Sequence, residues 1–509
     1  MAPVLTLAFL WTLVVQVLAR GVNRSALLPY PDKPRVFILS DISNEPDDQE
    51  SLTRYLLYSN QFQTEGIVAT TSTWLRHETH PEAMLVVMNA YDNVTENLNQ
   101  HAPPGSPYPS GDHIRSLLRT GPAVYGMEAV GKNITLSSGT KLLIERLQAK
   151  SDQPLWVLCW GGANVLAQAL YKIEETCSVA EAAALRSKLR VYAISDQDDT
   201  GAWIRQRYPD IFYIASTHGW NQYGLAAWSG ISGEDYYGED RGGPESTKVS
   251  HEWLRDNIQI GPYGKEAYPN YAFIMEGDTP TFLYLIQNGL GVSEQPDYGS
   301  WGGRYAKVNP STVLNFNAYA DAADRVVGSN NETFVSSRAA VWRWRDAFQN
   351  DFAARMQWSL PANVSRANHH PIISVNGSTG LTPLNLAVSA GSIVILDATN
   401  TQDPDGDRLS FRWFQYKEPG ANDWNVVGTV PQLNISTTND GSLVQLQVPQ
   451  ANESCNGKSS NPSGCWLLHL ILEVTDDGYH PLTSYRRVLL QTSNNTQSYL
   501  RRKTATNTQ

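Results

Sequence analysis

Five apolar runs of strand length, separated by helical patterns, occupy the first half of the 509-residue chain. Each run is apolar along its whole length rather than at every second position, which is typical of parallel strands buried on both faces. The runs are VFIL (36–39), GIVATT (66–71), PLWVLCW (154–160), LRVYAIS (189–195) and IFYIAS (211–216). Segments such as SLTRYLLYSN and ANVLAQALYKI between them have the spacing of amphipathic helices. The alternation predicts an α/β domain with a doubly wound, mainly parallel sheet over residues 33–358.

The pattern changes near residue 365, after which no convincing amphipathic helix remains. Short strand-like segments follow, separated by turn residues that include the stretch DPDGD at Asp403–Asp407. The segments are SIVILDA, LSFRWFQY, SLVQLQVP, WLLHLILEVTDD and SYRRVLLQT. This pattern of short strands and turns predicts an all-β, immunoglobulin-like sandwich over residues 368–497.

The N-terminus indicates export. Residues 1–19, MAPVLTLAFLWTLVVQVLA, form an apolar run that ends in small residues and predict a cleaved signal peptide, and hence a secreted, extracellular protein. Nine Asn-x-Ser/Thr sequons fit a glycoprotein. No later run reaches the roughly eighteen apolar residues that a bilayer span needs, so no membrane anchor is expected.

Cysteines are too few for a disulfide scaffold. In an oxidising compartment Cys455 and Cys465 could close the loop NGKSSNPSG between them. Cys159 and Cys177 are compatible with a second bridge or with two thiols. A cysteine metal site is not expected, since the chain has no Cys-x-x-Cys spacing.

Charge narrows the classes of partner. The formal net charge is -11 and no stripe of Lys and Arg is present, which argues against binding to nucleic-acid polymers. The 15 Trp and 24 Tyr residues suit sugar recognition, although they are also ordinary core residues.

A Rossmann dehydrogenase is excluded because acids follow the first strand where a dinucleotide fold needs a glycine-rich turn.

Three acidic loops follow predicted strands. The first, DISNEPDD at 41–48, has four carboxylates in eight residues, which repel one another unless protons or a cation such as Ca²⁺ or Mg²⁺ neutralise them. Helix capping, the alternative, needs only one or two acids. The others are SDQDDTG at 195–201 and MEGDTP at 275–280, which lies between the predicted strand YAFI and the predicted helix FLYLIQNGL. Strand carboxyl ends are where open α/β sheets bind ligands, so a site is predicted there.

These motifs carry a family resemblance. The 41–48 loop resembles the nucleoside hydrolase signature Asp-x-Asp-x-x-x-Asp-Asp, and WGGANVLAQAL and EGDTP resemble two further segments of that family's calcium site. The sequence is still more similar to the nucleoside-hydrolase-like family of cellulose-binding proteins, which join such a domain to a C-terminal β-sandwich. That family shares EGDTP-x-FL, WGGRY and DPDGD-x-LSF-x-W with this chain. The resemblance covers about residues 33–497.

The resemblance implies a Ca²⁺ site and assigns roles to residues. The implied metal ligands are Asp41, Asp48, the carbonyl oxygen of Trp160, and Asp278. Asp47 would bind substrate hydroxyls or support the metal ligands. Ser43 stands where nucleoside hydrolases have the aspartate that activates water, so we hypothesise that Asp41 or Glu45 is the catalytic base.

Further residues are predicted around the sugar. Asp196, Asp198 and Asp199 would line the pocket and accept hydrogen bonds from hydroxyls. His218 and Trp220 are candidates for protonating the leaving group or stacking on the sugar, and a purely structural histidine is an equal alternative for His218. Trp74 and His77 could form the opposite rim, or belong to a loop that packs on itself.

Three functions compete. The leading hypothesis is a secreted hydrolase that attacks glycosyl bonds, more of cell-wall carbohydrate than of nucleosides, with metal-activated water. A carbohydrate-binding protein that has lost catalysis is the alternative, and Ser43 keeps it open. A third hypothesis is an adhesion module with Asp403–Asp407 as a calcium clip. The oligomeric state is left open.

Overall fold

The computed structural model describes most of the chain. The described residues are 25, 27–30, 32–218, 220–308, 316–361, 367–421, 427–457, 459, 461 and 463–494. The predicted signal peptide at 1–19 lies outside them, and so does part of the connection between the two predicted domains.

An eight-stranded sheet organises the first region. Its strands are β1 (Arg35–Ser40), β2 (Gln63–Ala69), β3 (Leu118–Thr120), β4 (Leu155–Cys159), β5 (Leu189–Ala193), β6 (Phe212–Ala215), β7 (Tyr305–Lys307) and β8 (Ala318–Asp321). The order is β3-β2-β1-β4-β5-β6-β8-β7, and β7 is antiparallel to its neighbour whereas the other pairs are parallel. An antiparallel hairpin of β9 (Asp324–Val327) and β10 (Thr333–Ser336) follows.

Helices cover both faces of this sheet. They are α1 (Asp47–Leu57), α2 (Pro81–Asp92), α3 (Thr95–His101), α4 (Gly111–Ser116), α5 (Ser138–Gln148), α6 (Asn164–Thr176), α7 (Val179–Ser187), α8 (Thr200–Arg207), α9 (Glu234–Tyr237), α10 (His251–Asn257), α11 (Gly261–Ala267), α12 (Pro280–Leu283), α13 (Ala339–Trp342) and α14 (Arg345–Trp358). Within β1, Val36 and Ile38 join one core cluster and Phe37 and Leu39 the other. The predicted doubly wound α/β fold is therefore confirmed. In the described part of the chain, no helix combines the length and apolar character that a membrane crossing requires.

Two local predictions were wrong. The segment YAFI at 271–274 forms no strand, because the backbone around it turns into the left-handed region at Phe273 (φ 64°) and Glu276 (φ 55°). The helix predicted over FLYLIQNGL ends early, at Leu283. Beyond it the chain stays buried but is no longer helical, and the carbonyl of Asn288 accepts a hydrogen bond from Tyr485 N at 2.9 Å. Tertiary contacts thus override the helical pattern.

The second region is a β-sandwich, as predicted. It contains β11 (Leu384–Ser389), β12 (Ile393–Asp397), β13 (Leu409–Gln415), β14 (Asn434–Thr438), β15 (Leu443–Gln447), α15 (Ala451–Ser454), β16 (Leu467–Asp476) and β17 (Thr483–Ser493). Sheets of order β11-β17-β16-β13 and β12-β15-β14 enclose one apolar core. The Cys455–Cys465 disulfide is confirmed, whereas Cys159 and Cys177 are free thiols.

The two regions share buried contacts. Ile471 and Tyr485 of the sandwich belong to the same core cluster as β1 and α1. The buried Arg487 guanidinium reaches across and donates to the carbonyl of Leu290 at 2.8 Å. The sandwich therefore completes the core of the first region instead of lying beside it.

Candidate functional site

A cleft lies at the carboxyl ends of the parallel strands. Its volume is about 250 Å³, and its walls come from the loops after β1, β4 and β5 together with the segment before α12. The lining residues are Asp41, Asn44, Glu45, Asp47, Asp48, Trp74, Trp160, Ile194, Gln197, Tyr223, Trp228, Tyr236, Tyr237, Phe273, Ile274 and Asp278. The fold thus brings all three acidic loops predicted from the sequence to one place, although the second contributes Gln197 to the lining and none of its aspartates.

Three aspartates form the centre of the cleft. Asp47 and Asp48 lie in the first turn of α1, and Asp278 precedes α12. Carboxylate oxygens of the three lie within 4.8 Å of one another. Gly277 permits this approach, because a β-carbon there would lie 2.7 Å from Asp47 Oδ2. Asp278 Oδ2 is buried and has no hydrogen-bond partner among the described residues.

Asp41 lies beside this group. It directly follows β1 and is buried against Gly161, where a β-carbon would stand 2.7 Å from Asp41 Oδ1. Burial raises the pKa of Asp41 to about 6, and a hydrogen bond from Ser72 limits the rise. The glycine after β4 is therefore needed for the carboxylate to reach the cleft.

The electrostatics of the cluster favour a cation. Burial raises the pKa of Asp47 to about 7, and the charges of Glu45 and Asp41 act in the same direction. Burial, with neighbouring carboxylates, also raises the pKa values of Asp48 and Asp278 well above their ordinary range. Several buried carboxylates and an unpartnered oxygen are the ligand type that Ca²⁺ takes, so the residues present fit such an ion.

Ser43 and Glu45, two residues apart in the first acidic loop, differ in their exposure to solvent. Ser43 is exposed and has a left-handed backbone with φ 89°, a conformation that is uncommon for a residue with a side chain. Glu45 is half-buried and lines the cleft, and burial raises its pKa. Its charge acts on Asp41, Asp47 and Asp278. The loop therefore brings Glu45 towards the aspartates while Ser43 faces solvent.

Trp160 connects β4 to the Asp278 segment. Its indole Nε1 donates to Thr281 Oγ1 at 2.8 Å, and that hydroxyl donates to the carbonyl of Asp278 at 2.8 Å. The carbonyl of Trp160, an implied metal ligand, accepts a hydrogen bond from Gln197 Nε2. Gln197 lines the cleft, and sequence reasoning missed it because only its acidic neighbours were considered.

The acids around Gln197 have partners of their own. Asp196 forms an ion pair with Arg205 at 2.5 Å. Asp199 accepts a hydrogen bond from Met127 N at 2.8 Å. Asp198 is buried, and burial raises its pKa to about 6. None of these aspartates is among the lining residues of the cleft, and their role in sugar binding stays a prediction.

His218 is held by a carboxylate. Its Nε2 lies 2.8 Å from Asp321 Oδ2, and this hydrogen bond raises the pKa of His218. That arrangement suits the structural alternative for this residue. The side chain of Trp220 lies outside the described residues. Trp74 stands at the mouth of the cleft with 53% of its surface exposed, whereas His77 is exposed and is not part of the lining.

An aromatic wall faces the aspartates. Ring contacts at 4.9–6.5 Å link Tyr223, Trp228, Tyr237, Tyr236 and Phe273 in a row. Tyr236 and Phe273 remain 54% and 56% exposed at the cleft mouth. Sequence reasoning missed this wall, although the dense aromatics at 220–237 were a usable signal. Among the described lining residues, none is Lys, Arg or His.

A second acidic group lies in the sandwich. Carboxylate oxygens of Asp403, Asp405 and Asp407 lie within 4.8 Å of one another in the β12–β13 connection. Asp403 Oδ1 accepts from the backbone N–H groups of Asp405 and Asp407, and Asp405 accepts from His369 N at 2.7 Å. These bonds account for the turn, and the calcium-clip hypothesis stays a prediction.

Comparison with known proteins gives two family matches. The profile described as "Cellulose-binding Sde182, nucleoside hydrolase-like domain" matches residues 35–305. The profile described as "Cellulose-binding protein Sde0182, C-terminal domain" matches residues 393–492. A search of curated protein sequences found no match.

One solved structure matches nearly the whole chain. It is a nucleoside hydrolase-related hypothetical protein from Saccharophagus degradans that is associated with carbohydrate metabolism. The identity is 30% and the TM-score 0.72, over 91% of this chain and 100% of that chain. The effector protein XOO4466 (13% identity, TM-score 0.27, 65% and 93% covered) and murine CRIg (12%, 0.16, 25% and 99%) are too distant to inform the fold.

Proposed function

Because the chain belongs to the cellulose-binding Sde182 family, with its nucleoside hydrolase-like domain, we propose that it is a secreted hydrolase of glycosyl bonds in cell-wall carbohydrate. The observation that carries this proposal is the group of half-buried Asp47 with buried Asp48 and Asp278, in which Asp278 Oδ2 has no partner within the described residues. Clustered carboxylates destabilise the folded state unless a cation or protons neutralise them. Clusters of this kind occur at functional sites, where the destabilisation is accepted for the sake of the chemistry. Secretion rests on the predicted signal peptide.

We assign the cation as Ca²⁺. Asp41, Asp48, the Trp160 carbonyl and Asp278 would hold it, and Asp47 would bind sugar hydroxyls. A Ca²⁺ ion held by these residues would neutralise the carboxylates and would supply Lewis acidity that makes a water molecule more nucleophilic. The Trp160 carbonyl has a second lone pair beside the one that Gln197 uses.

Glu45 is the proposed base. Its half-buried carboxylate beside the aspartates can take the proton from the attacking water as the new C–O bond forms and the glycosyl bond breaks. The leaving oxygen then takes a proton from solvent. Asp41 is the second candidate, but it is more deeply buried than Glu45, packs against Gly161 and already accepts a hydrogen bond from Ser72. Ser43 lacks both the basicity and the position for this step.

The lining favours a neutral sugar. Aromatic faces at the mouth, such as Trp74 and Tyr236, suit stacking on pyranose rings. With carboxylates at the floor and no basic residue in the described lining, an anionic ligand would meet repulsion. We therefore expect neutral oligosaccharides to bind better than polyuronates or nucleotides.

A non-catalytic carbohydrate-binding protein is the second candidate. It is favoured by the exposed Ser43 at the position where nucleoside hydrolases have their base. This candidate predicts sugar binding in the cleft without turnover.

The test is release of reducing sugar from neutral cell-wall polysaccharides, polyuronates and nucleosides, in Ca²⁺ and in EDTA. Asp48→Asn is compared with Asp210→Asn, which removes an acid that pairs with Arg186 outside the cleft lining. Turnover of neutral glycans that EDTA and Asp48→Asn abolish, but Asp210→Asn retains, would support the hydrolase. Binding without turnover would support the second candidate, and neither binding nor turnover would contradict both.

A further inference from the structure

Helix α1 carries two further buried charged residues, Glu50 and Arg54, beyond the aspartates of its first turn. Glu50 and Arg54 follow Asp47 and Asp48 along the helix, and both have 0% of their surface exposed. Because they are four residues apart, they share one helix face. That face is turned towards the segment that carries Asp278.

Both residues contact Glu276. The backbone N–H of Glu276 donates to Glu50 Oε2 at 2.9 Å. Its carboxylate accepts from Arg54 Nη1 at 2.8 Å and from the Tyr268 hydroxyl at 2.7 Å. The main chain and the side chain of one residue are thus held separately by the same helix face, with Tyr268 as a third support.

The held residue is strained. Glu276 has φ 55°, in the left-handed region that a side chain disfavours. Such a conformation persists only where the surroundings impose it. The hydrogen bonds from Arg54 and to Glu50 are the contacts that impose it here.

The consequence reaches the cleft, since Asp278 lies two residues further along the chain. Gly277, between them, is packed so closely that a β-carbon would lie 2.7 Å from Asp47 Oδ2. A change in the backbone at Glu276 would therefore move Asp278 relative to the first turn of α1. When no cation is bound, mutual repulsion of the carboxylates favours a movement of Asp278 away from Asp47 and Asp48.

We propose that Glu50, Arg54 and Glu276, here called the α1 clamp, are positioning residues that set the affinity of the aspartate group for its cation. This inference rests on the proposed function in that it takes the group to be a Ca²⁺ site. The clamp residues do not bind the ion. They fix the distance between the ligands on α1 and those on the Asp278 segment. Ca²⁺ binding then requires no additional free energy to bring the carboxylates together.

Two substitutions of Glu50 separate this role from simple stability. Glu50→Leu removes the acceptor for Glu276 N, whereas Glu50→Gln keeps an oxygen there and places its amide where Oε1 has no partner among the described residues. Tyr268→Phe is the milder change, since it removes one hydroxyl from the Glu276 carboxylate. The control is Glu65→Leu, which breaks the buried Arg35–Glu65 ion pair (2.6 Å) at the opposite end of β1 and β2.

The readout is the affinity for Ca²⁺ alone, measured by titration calorimetry on the full chain well below its unfolding midpoint. We expect Glu50→Leu to weaken binding by about tenfold or more and Tyr268→Phe by a smaller factor. Glu50→Gln should restore most of the affinity, and Glu65→Leu should leave it unchanged although it lowers the unfolding midpoint.

The outcomes are distinct. Unchanged affinity in both Glu50→Leu and Tyr268→Phe, beside normal binding by the wild type, would overturn the clamp alone. Equal losses in Glu50→Leu and Glu65→Leu would also overturn it, because stability would then explain the effect. A wild type that binds no Ca²⁺ would overturn the clamp together with the metal site. Weakened Ca²⁺ binding in a chain that hydrolyses no glycan would support the clamp and contradict the hydrolase.

Discussion

Substitution of Asp47 by Asn should stabilise the cation-free protein at neutral pH. Burial and the adjacent carboxylates raise the pKa of Asp47 from 3.8 to about 7. A difference of about three pKa units, at about 1.4 kcal/mol each, makes ionised Asp47 cost the folded state about 4 kcal/mol above pH 7. Since Asp41, Asp48 and Asp278 share this titration, about 4 kcal/mol is the upper limit of what one substitution recovers.

The raised pKa of Asp47 determines how the stability of the folded state changes with pH. Below pH 3.8 Asp47 is protonated in both the folded and the unfolded chain, so it costs nothing. Between that pH and about 7 the unfolded chain loses its proton first, and the folded state becomes progressively less stable. The wild type in EDTA should therefore lose stability as the pH rises through this window, and Ca²⁺ should restore it.

The assay is thermal unfolding in EDTA at pH 5 and pH 7.5, with Asp240→Asn as the matched control. Burial would raise the pKa of Asp240, but hydrogen bonds from Arg338 and Ser336 bring it below its ordinary value. Asp240→Asn should therefore lower the unfolding midpoint at pH 7.5, while Asp47→Asn raises it. The reasoning is refuted if Asp47→Asn lowers the midpoint in EDTA, or if the wild type is equally stable at both pH values.

Three further outcomes are expected. Glu45→Gln should lower kcat by about 100-fold or more while Ca²⁺ affinity, measured by calorimetry, stays near that of the wild type; retained turnover, with loss in Asp41→Asn, would make Asp41 the base. Trp74→Ala should weaken neutral oligosaccharide binding in calorimetry by about three- to tenfold, and unchanged affinity would remove Trp74 from the sugar site. Arg487→Met should lower the thermal unfolding midpoint, because it leaves the buried carbonyl of Leu290 without its donor; an unchanged midpoint would contradict that reasoning.

Five of the eight strands of the large sheet could be predicted because burial on both faces leaves a continuous apolar run, whereas the short strands β3, β7 and β8 were not predicted. In β1 Val36 and Ile38 face one core cluster while Phe37 and Leu39 face the other, so no polar position interrupts the pattern. β11 and β14 were not predicted. Four of the five positions of β14 are exposed, and its sequence, NISTT, has too few apolar residues to be distinguished from a loop.

The candidate site could be predicted only in part. The acids after β1 and before α12 were found because like charges crowd in the sequence itself. Asp196 also follows a strand, but its charge is neutralised by Arg205 on α8. The acidic pattern of the loop alone does not predict this ion pair. The aromatic wall is assembled from segments far apart in the chain, for example Tyr236 and Phe273. Contacts of this kind depend on tertiary structure.

The shared core also sets the order in which the protein can form. Ile471 and Tyr485, near the end of the chain, pack into the same cluster as residues of β1. During synthesis the first region emerges long before β16 and β17, so its core stays open until the last strands have left the ribosome. A chain cut short ahead of β17 would expose apolar surface over the α/β region as well as in the sandwich. Chaperone dependence and sensitivity to C-terminal truncation should therefore accompany this architecture.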